Sequence, residues 1–341
     1  MTTDTFENGT GAVAATDVHN HAIPRGVLDL VLNDPAYRVR VVDGTWTSRN
    51  QGAFPMVDAW SIPDAKLREL DGKGLERAVL SVAPKPLFFY DLPLAPQLRV
   101  AQLANRGLAE FCAGHEDRLA WMAHVPLAFP EQAAATLREA VGLGARGVEL
   151  GTSAAGRRLD DPAFDPLWDA IESLTVPVFL HPAYESTGPE AQGYCLDGVL
   201  GLPYEITNAL QRLVCGHVLD RHPRMTVVAA LGGGYFPYIA GRLQHYTTFV
   251  PALGEAPAEP WSYVGRIKFD THLHDPAALR FLLRKAGPEN VLIGSDCSFL
   301  SATPQPMREL HEAADGDVRV VRAVAERNAE LFWKGAGHAG R

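Results

Sequence analysis

The sequence predicts an α/β protein built as one (β/α)8 TIM barrel, and three observations support that class. Eight short β-rich runs recur along the 341 residues. Helix-patterned stretches separate them, as in a parallel sheet with helical crossovers, and eight such units suit a closed barrel better than an open sheet. The runs are mostly apolar rather than alternating, the pattern of strands covered on both faces. The length would also allow two domains, but α/β barrels often run this long as one, so residues 1–341 read as a single domain.

The candidate strands, in order, are Ala14–His19, Ala78–Ala83, Ala120–Val125, Gly147–Gly151, Val176–His181, Thr226–Ala230, Arg266–Asp270 and Val291–Ser295. Between them, segments such as Gln132–Val141 and Pro162–Leu174 carry apolar residues at three- and four-residue steps, which makes an amphipathic helix. The turn Asp160-Asp161-Pro162 opens the second of these. Residues 1–13 read as a flexible start. Residues 22–73 read as a long irregular insertion and lid, rich in Asp, Asn, Pro and Gly, and a second long loop covers 183–202. Loops leaving the C-terminal ends of barrel strands build the mouth of the active site.

Composition narrows the partners. The chain is 47% hydrophobic and 21% charged, with a formal charge of −9 and no Lys/Arg run. That argues against nucleic acid or an anionic membrane, both of which require a basic footprint. Cys112, Cys195, Cys215 and Cys297 lie far apart with no CxxC pair, which suits neither a disulfide framework nor a thiolate metal site. Met1–Ala15 lacks the basic start and apolar stretch of a signal peptide, and no apolar run approaches membrane-spanning length. The expectation is a soluble, cytoplasmic protein that acts on a small molecule.

The chemistry gathers at strand ends. Asp17-Val18-His19-Asn20-His21 closes the first strand. Two residues apart on an extended chain, both imidazoles point to one side, where a pair can chelate a cation. Val178-Phe179-Leu180-His181 and Val291-Leu292-Ile293-Gly294-Ser295-Asp296 likewise end apolar runs in a polar residue. A charge that ends a buried strand needs a partner. Barrel strands converge at their C-terminal ends, so His19, His21, His181 and Asp296 offer three nitrogens and one oxygen to one divalent ion. Zinc is the expected ion; manganese, cobalt and iron also suit that donor set.

Further motifs follow in a fixed order. They are Leu67-Arg68-Glu69-Leu70-Asp71, Val125-Pro126-Leu127, Gly147-Val148-Glu149-Leu150-Gly151, Leu202-Pro203-Tyr204-Glu205-Ile206-Thr207, Gly232-Gly233-Gly234, Phe236-Pro237, Gly241-Arg242 and His274-Asp275-Pro276. With the three site segments, over most of its length, the chain resembles the amidohydrolase superfamily, in the branch related to aminocarboxymuconate-semialdehyde decarboxylase. The resemblance implies a distorted TIM barrel of the amidohydrolase type and a mononuclear zinc held by His19, His21, His181 and Asp296. It also implies a homodimer in which Arg242 reaches a substrate carboxylate, across the subunit interface. The branch lacks the bridging carboxylated lysine of binuclear relatives, and Glu149 falls in the corresponding region.

One departure bears on mechanism. Relatives carry a proton-exchanging His directly before the three glycines, whereas this chain has Leu231. His217, His124, Glu149 and His272 are the candidates to take over that role. Cys297-Ser298 stands where relatives have Tyr-Pro after the Asp, and Ala183-Tyr184 replaces a frequent Trp, so the substrate differs from the muconate semialdehyde of the namesake. Trp46, Phe54, Phe88, Phe89, Tyr90, Tyr184 and Tyr194 lie in loops that could line a pocket for a flat ligand. The leading expectation is a metal-dependent enzyme that decarboxylates or hydrolyses a small aromatic or cyclic carboxylate or carboxamide. Arg242, Tyr184, Phe54 and Leu231 are the expected substrate contacts. Leu231 raises a first alternative, ring-forming dehydration of an ortho-hydroxy anilide to a benzoxazole-type heterocycle. An inactive, ligand-binding relative is the second alternative.

Overall fold

All eight expected strands form in the computed structural model, which describes residues 13–48, 54–184, 193–251 and 259–333. They are β1 (Thr16–Ala22), β2 (Arg77–Val82), β3 (Leu119–Trp121), β4 (Val148–Gly151), β5 (Val178–His181), β6 (Val227–Ala229), β7 (Ile267–Asp270) and β8 (Val291–Leu292). Every pairing among them is parallel, in two arcs, β1-β2-β3 and β4-β5-β6-β7-β8. Irregular contacts join the arcs. Glu149 N donates to Ala123 O at 3.0 Å between β3 and β4, and Val18 N donates to Ile293 O at 2.9 Å between β8 and β1. The ring is thus a distorted (β/α)8 barrel whose strands are almost wholly buried, with apolar residues forming the core and polar ones concentrated in β1 and at strand ends.

Most strand boundaries shift by one or two residues from the sequence expectation; the third strand ends at Trp121 rather than Val125, and the two changes that bear on the site are at β1 and β8. β1 continues past His19 to Ala22, because Asn20, His21 and Ala22 pair with Leu80, Ser81 and Val82 of β2 after a register shift. β8 ends at Leu292 rather than Ser295, because the chain turns toward β1. There Asp296 N donates to His19 O at 2.8 Å and Asp296 adopts φ +61°.

The main helices are α1 (Arg25–Asn33), α2 (Pro63–Gly72), α3 (Leu94–Cys112), α4 (Pro130–Gly142), α5 (Asp165–Leu174), α6 (Leu202–Cys215), α7 (Phe236–Thr247), α8 (Pro276–Ala286) and α9 (Pro306–Ala313). Proline occupies the first or second position of α2 and of α4 through α9. There its missing N–H has no intrahelical partner to lose and its fixed φ favours the first turn. Among the described residues no helix is long and apolar enough to cross a membrane.

The insertion after β1 is more ordered than its composition suggests. It holds α1, an antiparallel sheet of Val39–Val42, Thr45–Ser48 and Phe54–Pro55, and then α2. Asp43 and Gly44, at φ +49° and +71°, make the tight hairpin between the first two strands of this sheet. Residues 49–53 of the insertion, 185–192 of the second loop and the first twelve of the expected flexible start lie outside the described residues.

After β6 the glycine run makes a turn that only glycine fits. Gly232, Gly233 and Gly234 have φ of +60°, +79° and +61°, and a Cβ on Gly234 would lie 2.1 Å from Pro203 O. Gly234→Ala is expected to cost at least about 2 kcal/mol in urea unfolding, from strain plus a backbone clash. An unchanged midpoint would contradict this packing.

Candidate metal centre

The ends of β1, β5 and the turn after β8 meet at the C-terminal face of the barrel. His19, His21, His181 and Asp296 are all buried there, and one ligand atom from each lies within 4.8 Å of the others. Asp296 Oδ1 is 3.4 Å from His19 Nε2 and 3.3 Å from His21 Nε2. Bonds of about 2.1 Å to a tetrahedral ion give ligand–ligand edges of about 3.4 Å.

Each imidazole is oriented from behind. His19 Nδ1 lies 2.7 Å from Asp270 Oδ2, His21 Nδ1 lies 2.9 Å from Ser81 Oγ, and His181 Nδ1 lies 3.0 Å from Pro182 O. The Ser81 hydroxyl donates onward to Glu149 Oε1 at 2.7 Å, so it accepts from His21. Asp270 and the Pro182 carbonyl accept as well. All three Nδ1 atoms therefore carry the proton and all three Nε2 lone pairs face the centre. Ser301 Oγ donates to Asp296 Oδ2 at 2.7 Å, which turns Oδ1 toward the histidines. His19 Nε2, His21 Nε2 and Asp296 Oδ1 are buried without hydrogen-bond partners. Facing acceptors with no hydrogen between them are costly, and a cation at their focus removes that cost, so these residues fit a divalent ion.

The charges agree. Burial works against a charge on His19, but the neighbouring Asp270 and Asp296 carboxylates push it up to about 10. Burial pushes His21 down to about 4, and holds His181 well below its usual range with help from the neighbouring His19 and His21. Burial works against ionised Asp296 too, but contacts with His19 and His21 hold it well below the usual carboxylate range. The site is built for positive charge at its focus.

The centre opens into a cavity of about 560 Å³ whose lining includes His181, Tyr184, Leu231, His272, Leu273 and Asp296. Of the expected proton-exchanging groups, His272 is the one on this wall. Its Nε2 is 3.6 Å from Asp296 Oδ2, its Nδ1 is 3.0 Å from Thr303 Oγ1, and burial pushes it down to about 4. Leu231 and Tyr184 line the same space. Leu231 has φ +56°, a left-handed conformation that His adopts more readily than Leu.

The remaining candidates lie elsewhere. Glu149 sits behind His21, 3.8 Å from its Nδ1, and burial pushes it up to about 8. His124 stacks on Phe88 at 5.8 Å, and burial pushes it down to about 4. Neither lines the cavity. His217 is on the outer surface, its ring paired with Asp220 at 2.7 Å, because it caps the short helix Val218–Arg221. Arg242 is exposed on α7, stacked on Tyr246 at 4.7 Å, so it does not reach the cavity of its own chain. Phe54 is one layer back: it packs on Trp60 and Phe299, and Phe299 packs on His21 at 5.6 Å. Tyr194 is almost fully exposed.

Sequence reasoning passed over Asp270, Ser81 and Thr303. Asp270 was detectable: it is the carboxylate that ends the expected strand Arg266–Asp270, much as Asp296 follows the end of its own. Its Oδ1 also accepts from Gly232 N at 2.7 Å and His272 N at 3.2 Å, so one carboxylate ties His19 to the glycine turn and the cavity wall.

The chain belongs to the amidohydrolase family, whose sequence profile matches residues 16–335. It is 29% identical over 301 residues to 2-amino-3-carboxymuconate-6-semialdehyde decarboxylase of Dictyostelium discoideum, covering 83% of this chain and 81% of that one. It is 27% identical over 301 residues to gamma-resorcylate decarboxylase of Rhizobium radiobacter, covering 82% and 90%. The fold matches a dihydroxybenzoic acid decarboxylase of a Polaromonas species, solved with bound manganese and the inhibitor 2-nitroresorcinol. That match has a TM-score of 0.73 and 20% identity, and covers 94% of this chain and 97% of that one.

Asp270→Asn keeps the shape but weakens the hold on the His19 ring. It is expected to lower affinity for a divalent ion by about 10- to 100-fold, read by competition with a chromophoric chelator. Wild-type affinity in this variant would contradict the orienting role of Asp270.

Proposed function

We propose that the protein is a divalent-metal-dependent decarboxylase of small hydroxylated aromatic carboxylates, with His19, His21, His181 and Asp296 as ligands. The observation that carries the reading is the opening of this buried donor set into a largely apolar cavity of small-molecule size. The decarboxylase names of relatives that align over four-fifths of the chain support the reaction type. Zinc suits three nitrogens and one carboxylate, and the Polaromonas relative holds manganese, so reloading with each ion belongs in the assay. A homodimer is part of the proposal. The exposed Tyr194, Val199, Leu200, Tyr204, Tyr238 and Phe249 support it as apolar surface, and a partner would bring Arg242 toward a second cavity. A single cytoplasmic domain in which residues 22–73 act as the lid completes it.

The ion, when bound, supplies Lewis-acid polarisation of substrate oxygens. Leu231, Leu273 and Tyr184 hold the aromatic ring and exclude water. His272 Nε2 is placed to give a proton to the ring carbon while that carbon's bond to the carboxylate breaks. The bonding pair stays with the ring and carbon dioxide leaves. An arriving carboxylate favours the charged imidazole. The Thr303 hydroxyl can accept from or donate to Nδ1, so the ring keeps its partner in both protonation states.

Ring-forming dehydration is the second reading, and Leu231 on the cavity wall is the observation that favours it. Carbon dioxide release from a panel of ortho-hydroxybenzoates separates the two. Metal-dependent release is expected. In His272→Gln, kcat should fall by about two to four powers of ten with KM little changed, and adding Leu231→His should recover part of the loss. Water loss from an ortho-hydroxy anilide, with no carbon dioxide from any benzoate, would replace this reading with the second. Turnover of neither class by the metal-loaded protein would leave a binding role.

A further inference from the structure

Lys66 is fully buried on α2, away from the cavity, and the chemistry proposed above does not use it. A buried ammonium is destabilising unless its charge is matched and its donors are used. Here both conditions are met. Nζ donates to Glu69 Oε2 at 2.8 Å, Asn20 Oδ1 at 2.9 Å and Ser298 Oγ at 2.9 Å. The Ser298 hydroxyl passes its own proton toward Glu69 Oε2 at 2.6 Å, so Glu69 balances the charge and ties two partners together.

The positions of the other two partners give the arrangement its meaning. Asn20 lies between His19 and His21, and Ser298 lies two residues beyond Asp296. The two segments also meet through the backbone, where His21 N donates to Cys297 O at 2.7 Å. Behind Asn20 the network continues. Its Nδ2 donates to Asp17 Oδ2 at 2.9 Å, and Asp17 also accepts from His19 N at 3.0 Å, Ser295 N at 3.0 Å and Ser295 Oγ at 2.6 Å. One ammonium therefore joins, from the back, the segments that bear three of the four donor side chains. A metal centre tolerates ligand displacements of only about 0.2 Å, so what fixes the spacing of these segments also fixes the affinity.

We propose that Lys66 is a positioning residue of the metal centre. Neutralised by Glu69, it clamps Asn20 of β1 to Ser298 and so sets the separation of His19 and His21 from Asp296. The inference rests on the reading of these side chains as a metal centre. Removing the ammonium leaves the Asn20 carbonyl oxygen without its donor and frees the Ser298 segment, a loss that packing a methionine stem does not repair.

The test uses the full-length protein, stripped and reloaded with Co(II), with affinity read by chelator competition and geometry by the ligand-field absorption bands. Lys66→Met should weaken binding by about 10- to 100-fold and alter the bands. Arg118→Met is the control for general damage. Arg118 pairs with Asp71 near the other end of α2 at 2.7 Å, and its loss should lower Tm without changing the bands. Wild-type affinity and bands in Lys66→Met would overturn the proposal, as would an equal loss of affinity in Arg118→Met. Should Lys66→Met fail to fold, Glu69→Gln carries the test: weakened binding supports the clamp, and wild-type binding sinks it. A wild-type protein that takes up no Co(II) fails differently, by removing the metal centre itself and the inference with it.

Discussion

The rest of the site depends on one constraint. Three imidazole lone pairs and a carboxylate oxygen point at one another in a buried space at the mouth of the barrel. Each Nδ1 hydrogen is committed elsewhere, to Asp270, Ser81 or the Pro182 carbonyl. Such an arrangement is self-repelling unless positive charge sits at its focus. Much of the surrounding structure serves to hold it in place: Ser301 turns the Asp296 carboxylate, Asp270 ties His19 to the glycine turn, and the end of β8 bends toward β1.

The insertion after β1 is coupled to this centre by two routes of different character. The apolar route runs from Phe54 and Trp60 through Phe299 to the His21 ring. The polar route runs from Glu69 and Lys66 to Asn20 and Ser298. A movement of the insertion would therefore be felt at the ligands, which links packing outside the barrel to chemistry at its mouth. On the cavity side, Leu231 and Leu273 make the wall apolar while His272 and Asp296 keep its polar groups together, a division suited to a flat anion gripped at one end.

Much of this was legible in the sequence, for definite physical reasons. Parallel strands buried on both faces write continuous apolar runs, so all eight were found. A polar residue that ends such a run stands out, which marked His19, His181 and Asp296 and would have marked Asp270. Lys66 was not legible: within Pro63–Gly72 a lysine at helical spacing reads as solvent-facing, and only the fold brings Asn20 and Ser298 around its ammonium. His217 shows the opposite limit. It is a candidate for the proton-exchanging role by sequence, yet its left-handed backbone at φ +56° puts it in the turn between α6 and the short helix Val218–Arg221, away from the cavity. The insertion's composition concealed its order, although Asp43-Gly44 between two β-rich runs was a hairpin signal.

The most direct test is the metal content of the purified protein, measured beside His19→Ala and Asp296→Ala. The account predicts about one divalent ion per chain in the wild type, lost in both variants while the fold persists. Wild-type protein that holds no ion even after reloading, or variants that keep it, would contradict the central claim.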